Sequence, residues 1–74
     1  MEKKIKDIMS AVFDLEIEKI NEESSSKTIV KWDSLNHMNL IVALEEEFSM
    51  TFDEEEIIDM TNYRHICNLV TEKS

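Results

Sequence analysis

The chain contains no glycine and no proline. The commonest turn and strand-bend residues are therefore missing, and an all-β fold with many tight turns would be hard to build. Helices tolerate the absence, because Ser, Thr, Asp and Asn can cap their ends. A single cysteine, Cys67, excludes an internal disulfide and offers no CxxC metal or redox pattern. No signal or transit pattern is present, and no apolar run is long enough to cross a bilayer. A cytoplasmic protein without a membrane span is expected. Basic residues are missing from one long stretch: between Trp32 and Tyr63 there is no Lys or Arg, against nine acids. The first 31 residues carry six lysines against seven acids, so most of the net charge of −9 sits in the second half. Such a half disfavours nucleic acid and anionic membranes, which need Lys or Arg opposite their phosphates. It suits basic protein surfaces, although the simplest reading is a solvated face.

Seventy-four residues make one domain, expected to span 1–74, and a chain this short buries only about 60% of its unfolded surface on folding. Little surface is left over for an enclosing catalytic cleft. Being bound, or carrying something, is favoured over being an enzyme.

Apolar residues Ile5, Ile8, Met9, Val12 and Phe13 recur at helical spacing and predict a first helix over about 2–14. The period then lapses from Leu15 to Asp33, a loop longer than usual helix–helix connections. Its Ile and Trp residues should pin it to the core, with Ser24–Ser26 at an exposed tip. Asp33 and Ser34 are both good N-cap residues for a helix running to about Phe48. Wound at about 100° per residue, that helix separates two apolar stripes. Leu40, Ile41, Leu44 and Phe48 form a core face. Leu35, Met38 and Val42 form a second stripe, interrupted by an exposed Glu45. The extra stripe either covers a neighbouring element or is an exposed docking strip, where Met suits adaptable contacts. Asp53 and Glu56 fit a capping box opening a short helix at about 54–60. Thr61 or Asn62 then caps a last helix, buried through Tyr63, Ile66, Cys67, Leu69 and Val70. The expectation is all-α: a small four-helix bundle of three longer helices and one short one, with a long loop between the first two.

Few constellations could carry chemistry. Ser34 has His37 one turn on, but no glycine-built oxyanion turn accompanies them. His37 falls towards the core-side face and reads as a partly buried, hydrogen-bonded histidine. The acidic runs lack the DxDxDG loop and its turn glycine, and two histidines with one cysteine do not make a zinc set. A dedicated metal site is not expected. Cys67 reads as core. Ser34, taken alone, reads as a helix cap.

Its surroundings say more. Asp33-Ser34-Leu35 followed by Met38, Leu40-Ile41 and Ala43-Leu44-Glu45-Glu46-Glu47-Phe48 resembles the modification-site motif and recognition helix of acyl carrier proteins. The likeness continues through Asp53-Glu54-Glu55 and covers essentially the whole chain. The resemblance implies a carrier, not an enzyme, that holds acyl intermediates as thioesters. It implies 4′-phosphopantetheine, transferred from coenzyme A and attached covalently to Ser34. Asp33 would engage the phosphopantetheinyl transferase. Leu35, Met38 and Val42, with Glu45 and Glu46, would dock loading, condensing or acyl-transfer enzymes that present basic surfaces. The carrier itself is expected to be a monomer.

The sequence also departs from the family pattern. Fatty-acid carriers usually have acids two and five residues after the modified serine, where this chain has Asn36 and Asn39. The usual glycine upstream is replaced by Val30-Lys31-Trp32. Trp-Asp-Ser-Leu with the following His and Met-Asn-Leu is more similar to stand-alone carriers of polyketide, non-ribosomal peptide or surface-glycan assembly. A secondary carrier outside bulk fatty-acid biosynthesis is expected. The competing readings are an unmodified acidic helical adaptor for a basic protein and, more remotely, a divalent-ion sensor.

Overall fold

The first apolar stripe winds into helix α1, Glu2–Phe13, in a computed structural model that describes residues 1–74. Ile5, Met9 and Phe13 are its buried residues; Ile8 and Val12 pack at the edge of the core. Helix α2 covers Ser34–Phe48, α3 covers Glu54–Asp59 and α4 covers Tyr63–Lys73. The architecture is all-α, three longer helices and one short one. Leu40, Ile41 and Leu44 from α2 meet Ile5, Met9 and Phe13 from α1 and Ile66 and Val70 from α4 in one core. Phe48, expected beside them, is only half-buried at the end of α2. Cys67 is likewise half-buried against the core rather than inside it.

The caps follow from side-chain chemistry. Asp53 and Glu56 form both hydrogen bonds of a capping box on α3. Asn62 caps α4 by accepting the His65 N–H at 2.7 Å. At their C-termini α1 and α2 need a left-handed residue, and without glycine Asp14 (φ 52°) and Ser49 (φ 50°) take these positions. Each costs about 1–2 kcal/mol of steric strain that glycine would avoid.

The connection between α1 and α2 contains one 3₁₀ turn, Ile17–Lys19. Ile20, Ile29 and Trp32 anchor it to the core, whereas Val30 is fully solvent-facing. The serine run is not the exposed tip that its polarity implied. Ser24 is 5% exposed, and its Oγ accepts the Asn21 N–H at 2.9 Å. The run lies along the α3–α4 junction instead. Ser25 pairs with Asn62 in an isolated antiparallel bridge, Ser26 N–H donates to the Thr61 carbonyl at 2.8 Å, and Ser24 carbonyl accepts the Tyr63 N–H at 2.9 Å. The reason is local: the first N–H groups of α4 have no partner in their own helix, and an extended loop strand supplies one. No helix is long and apolar enough to cross a membrane.

Candidate functional site

The start of α2 divides two jobs between adjacent residues. Asp33, in extended conformation, is the N-cap: its Oδ1 accepts the Asn36 N–H at 2.8 Å, and its carbonyl accepts the His37 N–H at 2.8 Å. Both Asp33 and Ser34 suit a cap by residue type, and the backbone chooses the aspartate. Ser34 is the first helical residue, exposed, with its hydroxyl uncommitted to the fold. Around it the helix N-terminus presents backbone N–H groups and the positive end of the helix dipole, which suit a phosphodiester.

A groove of about 360 Å³ opens beside Ser34, lined by Ser26, Trp32, Asp33, His37, Met38, Ile57, Ile58 and Thr61. Its inner wall is a chain of hydrogen bonds. Trp32 Nε1–H donates to His37 Nδ1 at 3.0 Å, and His37 Nε2 lies 2.7 Å from the Ile57 carbonyl. An indole N–H only donates and a carbonyl only accepts, so the imidazole proton sits on Nε2. Trp32 also stacks on Phe13, ring centres 4.7 Å apart. His37 is therefore the partly buried, bonded histidine read from the sequence. With both ring nitrogens engaged it is not a base for Ser34.

The second stripe of α2 faces solvent. Leu35 is 72% exposed, Met38 48% and Val42 50%, joined across the groove by Ile58 at 70%. The alternative that this stripe covers a neighbouring element is excluded by those exposures. Glu45 differs from the expectation of a free, exposed acid: it is half-buried, and its Oε2 accepts the Phe52 N–H at 3.0 Å. Periodicity put Glu45 on the outer face correctly, but could not show that the α2–α3 link folds back beneath it. Glu46 is exposed, and Glu47 pairs with Lys4 at 3.5 Å. Asn36 and Asn39 are organised too. Asn36 Nδ2 donates to the Lys31 carbonyl at 2.8 Å, and Asn39 Nδ2 donates to Asn36 Oδ1 at 3.1 Å. Sequence reading passed over Trp32 as a site residue; its place directly before the Asp-Ser pair was the available signal.

At the head of α4, Tyr63 is buried with its hydroxyl unpartnered. Burial is the main cause that drives its ionisation well above the ordinary tyrosine range, with the neighbouring Cys67 and Glu2 adding to it. Burial also raises the Cys67 thiol, against a smaller lowering by the Tyr63 side chain. Cys67 is thus a poor nucleophile. No group of three or more His, Cys, Asp or Glu side chains is arranged to hold a metal ion.

An exposed serine thus opens α2, with an apolar strip below it and a groove beside it. Comparison with known proteins names the family. Residues 3–70 match the family described as phosphopantetheine attachment site. The chain is 31% identical over 74 residues to the acyl carrier protein of Buchnera aphidicola subsp. Schizaphis graminum, covering 100% of this chain and 94% of that one. It is 36% identical over 70 residues to that of Buchnera aphidicola subsp. Baizongia pistaciae, covering 95% and 90%. The solution NMR structure of the holo acyl carrier protein from Geobacter metallireducens superposes with a TM-score of 0.86 at 35% identity, covering 97% of this chain and 83% of that one. The chain belongs to the acyl carrier protein family.

Its prosthetic group is accordingly 4′-phosphopantetheine, which supplies a thiol for thioester formation. A phosphopantetheinyl transferase and acyl-handling enzymes are its partners, and the protein carries rather than catalyses. The free Ser34 hydroxyl, the N–H groups around it and the adjoining groove fit a phosphate-linked arm.

Proposed function

We propose that residues 1–74 act as one cytoplasmic, monomeric carrier domain whose 4′-phosphopantetheine arm is attached at Ser34. One observation carries the assignment: Asp33 performs the capping, so the Ser34 hydroxyl is exposed and available at the start of α2. Asp33, capping through Oδ1, keeps its second carboxylate oxygen for the transferase. Leu35, Met38 and Val42 form the apolar part of the docking surface, and their exposure supports that reading. Glu46 is the freer acidic contact; Glu45 contributes its remaining oxygen while holding the α2–α3 link. Acids around a small apolar strip give fast encounter and ready release, which a carrier serving several enzymes requires.

The pathway is a specialised one rather than bulk fatty-acid synthesis. Asn36 and Asn39 remove two negative charges beside the arm, so enzymes that recognise acids there lose two contacts. The adaptor alternative requires no modification of Ser34. Intact-mass analysis after incubation with coenzyme A and a broad-specificity transferase separates the two. A stoichiometric phosphopantetheine adduct, absent in Ser34→Ala, is expected; a wild type left unmodified by every transferase tested would favour the adaptor.

A further inference from the structure

The groove beside Ser34 is lined by the Trp32 and His37 side chains. Trp32 stacks on the Phe13 ring and donates to His37, which in turn holds the Ile57 carbonyl. That carbonyl also accepts the Met60 N–H at 3.3 Å, so the contact anchors the last turn of the six-residue α3 to α2. One and two turns further along α2, Leu40, Ile41 and Leu44 are at most 1% exposed. An alkyl chain carried at the thiol end of an arm on Ser34 could reach these buried side chains only by folding back into the groove and displacing the contact between α2 and α3. The groove lining also includes the hydroxyl residues Ser26 and Thr61.

We infer that Trp32 and His37 form a gate that sets the cargo class of this carrier: short acyl groups with a hydrogen-bonding substituent lie in the surface groove, and long alkyl chains are kept out of the core. The inference rests on the attachment of the arm at Ser34. The hydrogen-bonded pair resists opening because the buried Trp32 N–H and the Ile57 carbonyl would both lose a partner when an alkyl chain displaced His37. An alkyl chain offers neither a donor nor an acceptor in return. In the groove itself, the Ser26 and Thr61 hydroxyls can hydrogen-bond a polar substituent on the cargo, which a saturated chain does not offer. The same geometry would follow from a purely structural histidine, so the decisive readout is the dependence on cargo length.

The test loads the full chain at Ser34 with acetyl, butyryl, β-hydroxybutyryl, hexanoyl, octanoyl and decanoyl groups, using the corresponding acyl-coenzyme A compounds and a transferase. Intact mass verifies each adduct. The half-life of each thioester in hydroxylamine is then compared with that of the free acyl-pantetheine. In wild type, protection is expected to stay level from butyryl to decanoyl, and β-hydroxybutyryl to outlast butyryl by about two- to tenfold, the effect of one hydrogen bond. Thr61→Val should reduce that difference. In His37→Ala, protection should rise with length, towards about tenfold for every two methylenes sheltered. Trp32→Phe keeps the stack on Phe13 while removing the donor, so it tests the gate even if His37→Ala folds poorly; it should show the same trend, more weakly. Protection that climbs with length in wild type, or a level profile in a folded Trp32→Phe, overturns the gate. Absence of any adduct at Ser34 overturns the attachment reading itself, and the gate with it.

Discussion

The side-chain amide of Asn36 donates to the Lys31 carbonyl at 2.8 Å, tying the last turn of the long loop to the first turn of α2. Its oxygen accepts from Asn39 at 3.1 Å. An aspartate at position 36 could not donate to that carbonyl. What looks in sequence like the simple loss of two acids is therefore also the gain of a tether that orients Trp32 and Asp33 just ahead of Ser34.

Restoring the acids should separate these two consequences. Asn36→Asp with Asn39→Asp returns negative charge beside the arm, and the housekeeping β-ketoacyl synthases should then use the carrier with higher kcat/KM, most clearly at low salt. The lost tether should lower stability by about 0.5–1.5 kcal/mol, partly offset by about 0.3–1 kcal/mol from acid near the helix N-terminus. If wild type already matches the housekeeping carrier in these assays, the specialised-carrier reading is wrong.

Ser34 and Asp33 should respond in opposite ways. Because Ser34 is not the cap, Ser34→Ala should alter stability by less than about 0.5 kcal/mol while abolishing phosphopantetheine attachment. Asp33→Ala should cost about 1 kcal/mol through the lost cap and slow loading. Asp33→Asn keeps a capping oxygen, so any loading defect that persists there reports on the transferase contact. Urea denaturation and intact-mass time courses measure both quantities.

The two apolar stripes of α2 should divide cleanly into stability and recognition. Leu44→Ala, in the core, should cost about 2–5 kcal/mol. Met38→Lys and Val42→Lys, on the exposed strip, should stay within about 0.5 kcal/mol of wild type yet weaken binding to acyl-handling partners. Glu46→Lys should act mainly on the association rate and vanish at high salt. Calorimetric binding and stopped-flow association provide the comparison.

Ser49 sits at φ 50° at the end of α2, in a chain without glycine. Ser49→Gly should raise stability by up to about 1 kcal/mol, because relief of left-handed strain outweighs the added freedom of the unfolded chain. A lowered thermal midpoint would contradict this account of the helix end.

Tyr63 is the only tyrosine, so its ionisation can be followed directly. Its folded-state ionisation is displaced upward by burial, so the native protein keeps its proton at pH values where the unfolded chain has lost it. The associated stability is complete below about pH 10, the unfolded value, and is lost as pH rises from there towards the folded value. Tyrosinate absorbance should therefore appear together with loss of helical circular dichroism, not before it. Tyr63→Phe removes an unpartnered buried hydroxyl and should be neutral or stabilising by about 1 kcal/mol.

How much of this was legible in advance follows the range of the interactions. Helical period and capping residues act between positions close in sequence, and they determined four helices and a core face; the attachment motif was read from the family resemblance of the Asp33-to-Phe48 run. That Asp14 and Ser49 would take the left-handed positions at the helix ends was not legible in advance. Tertiary structure decided the rest. Whether Leu35, Met38 and Val42 were covered or bare depended on where the loop and α3 packed. Ser24 looked like a loop tip until α4 needed a partner for its first N–H groups. The bond from Trp32 to His37 is local, but its meaning comes from the Ile57 carbonyl twenty residues further on. No period encodes such a contact; it arises only when two separately formed helices meet and their unpaired polar groups must be satisfied.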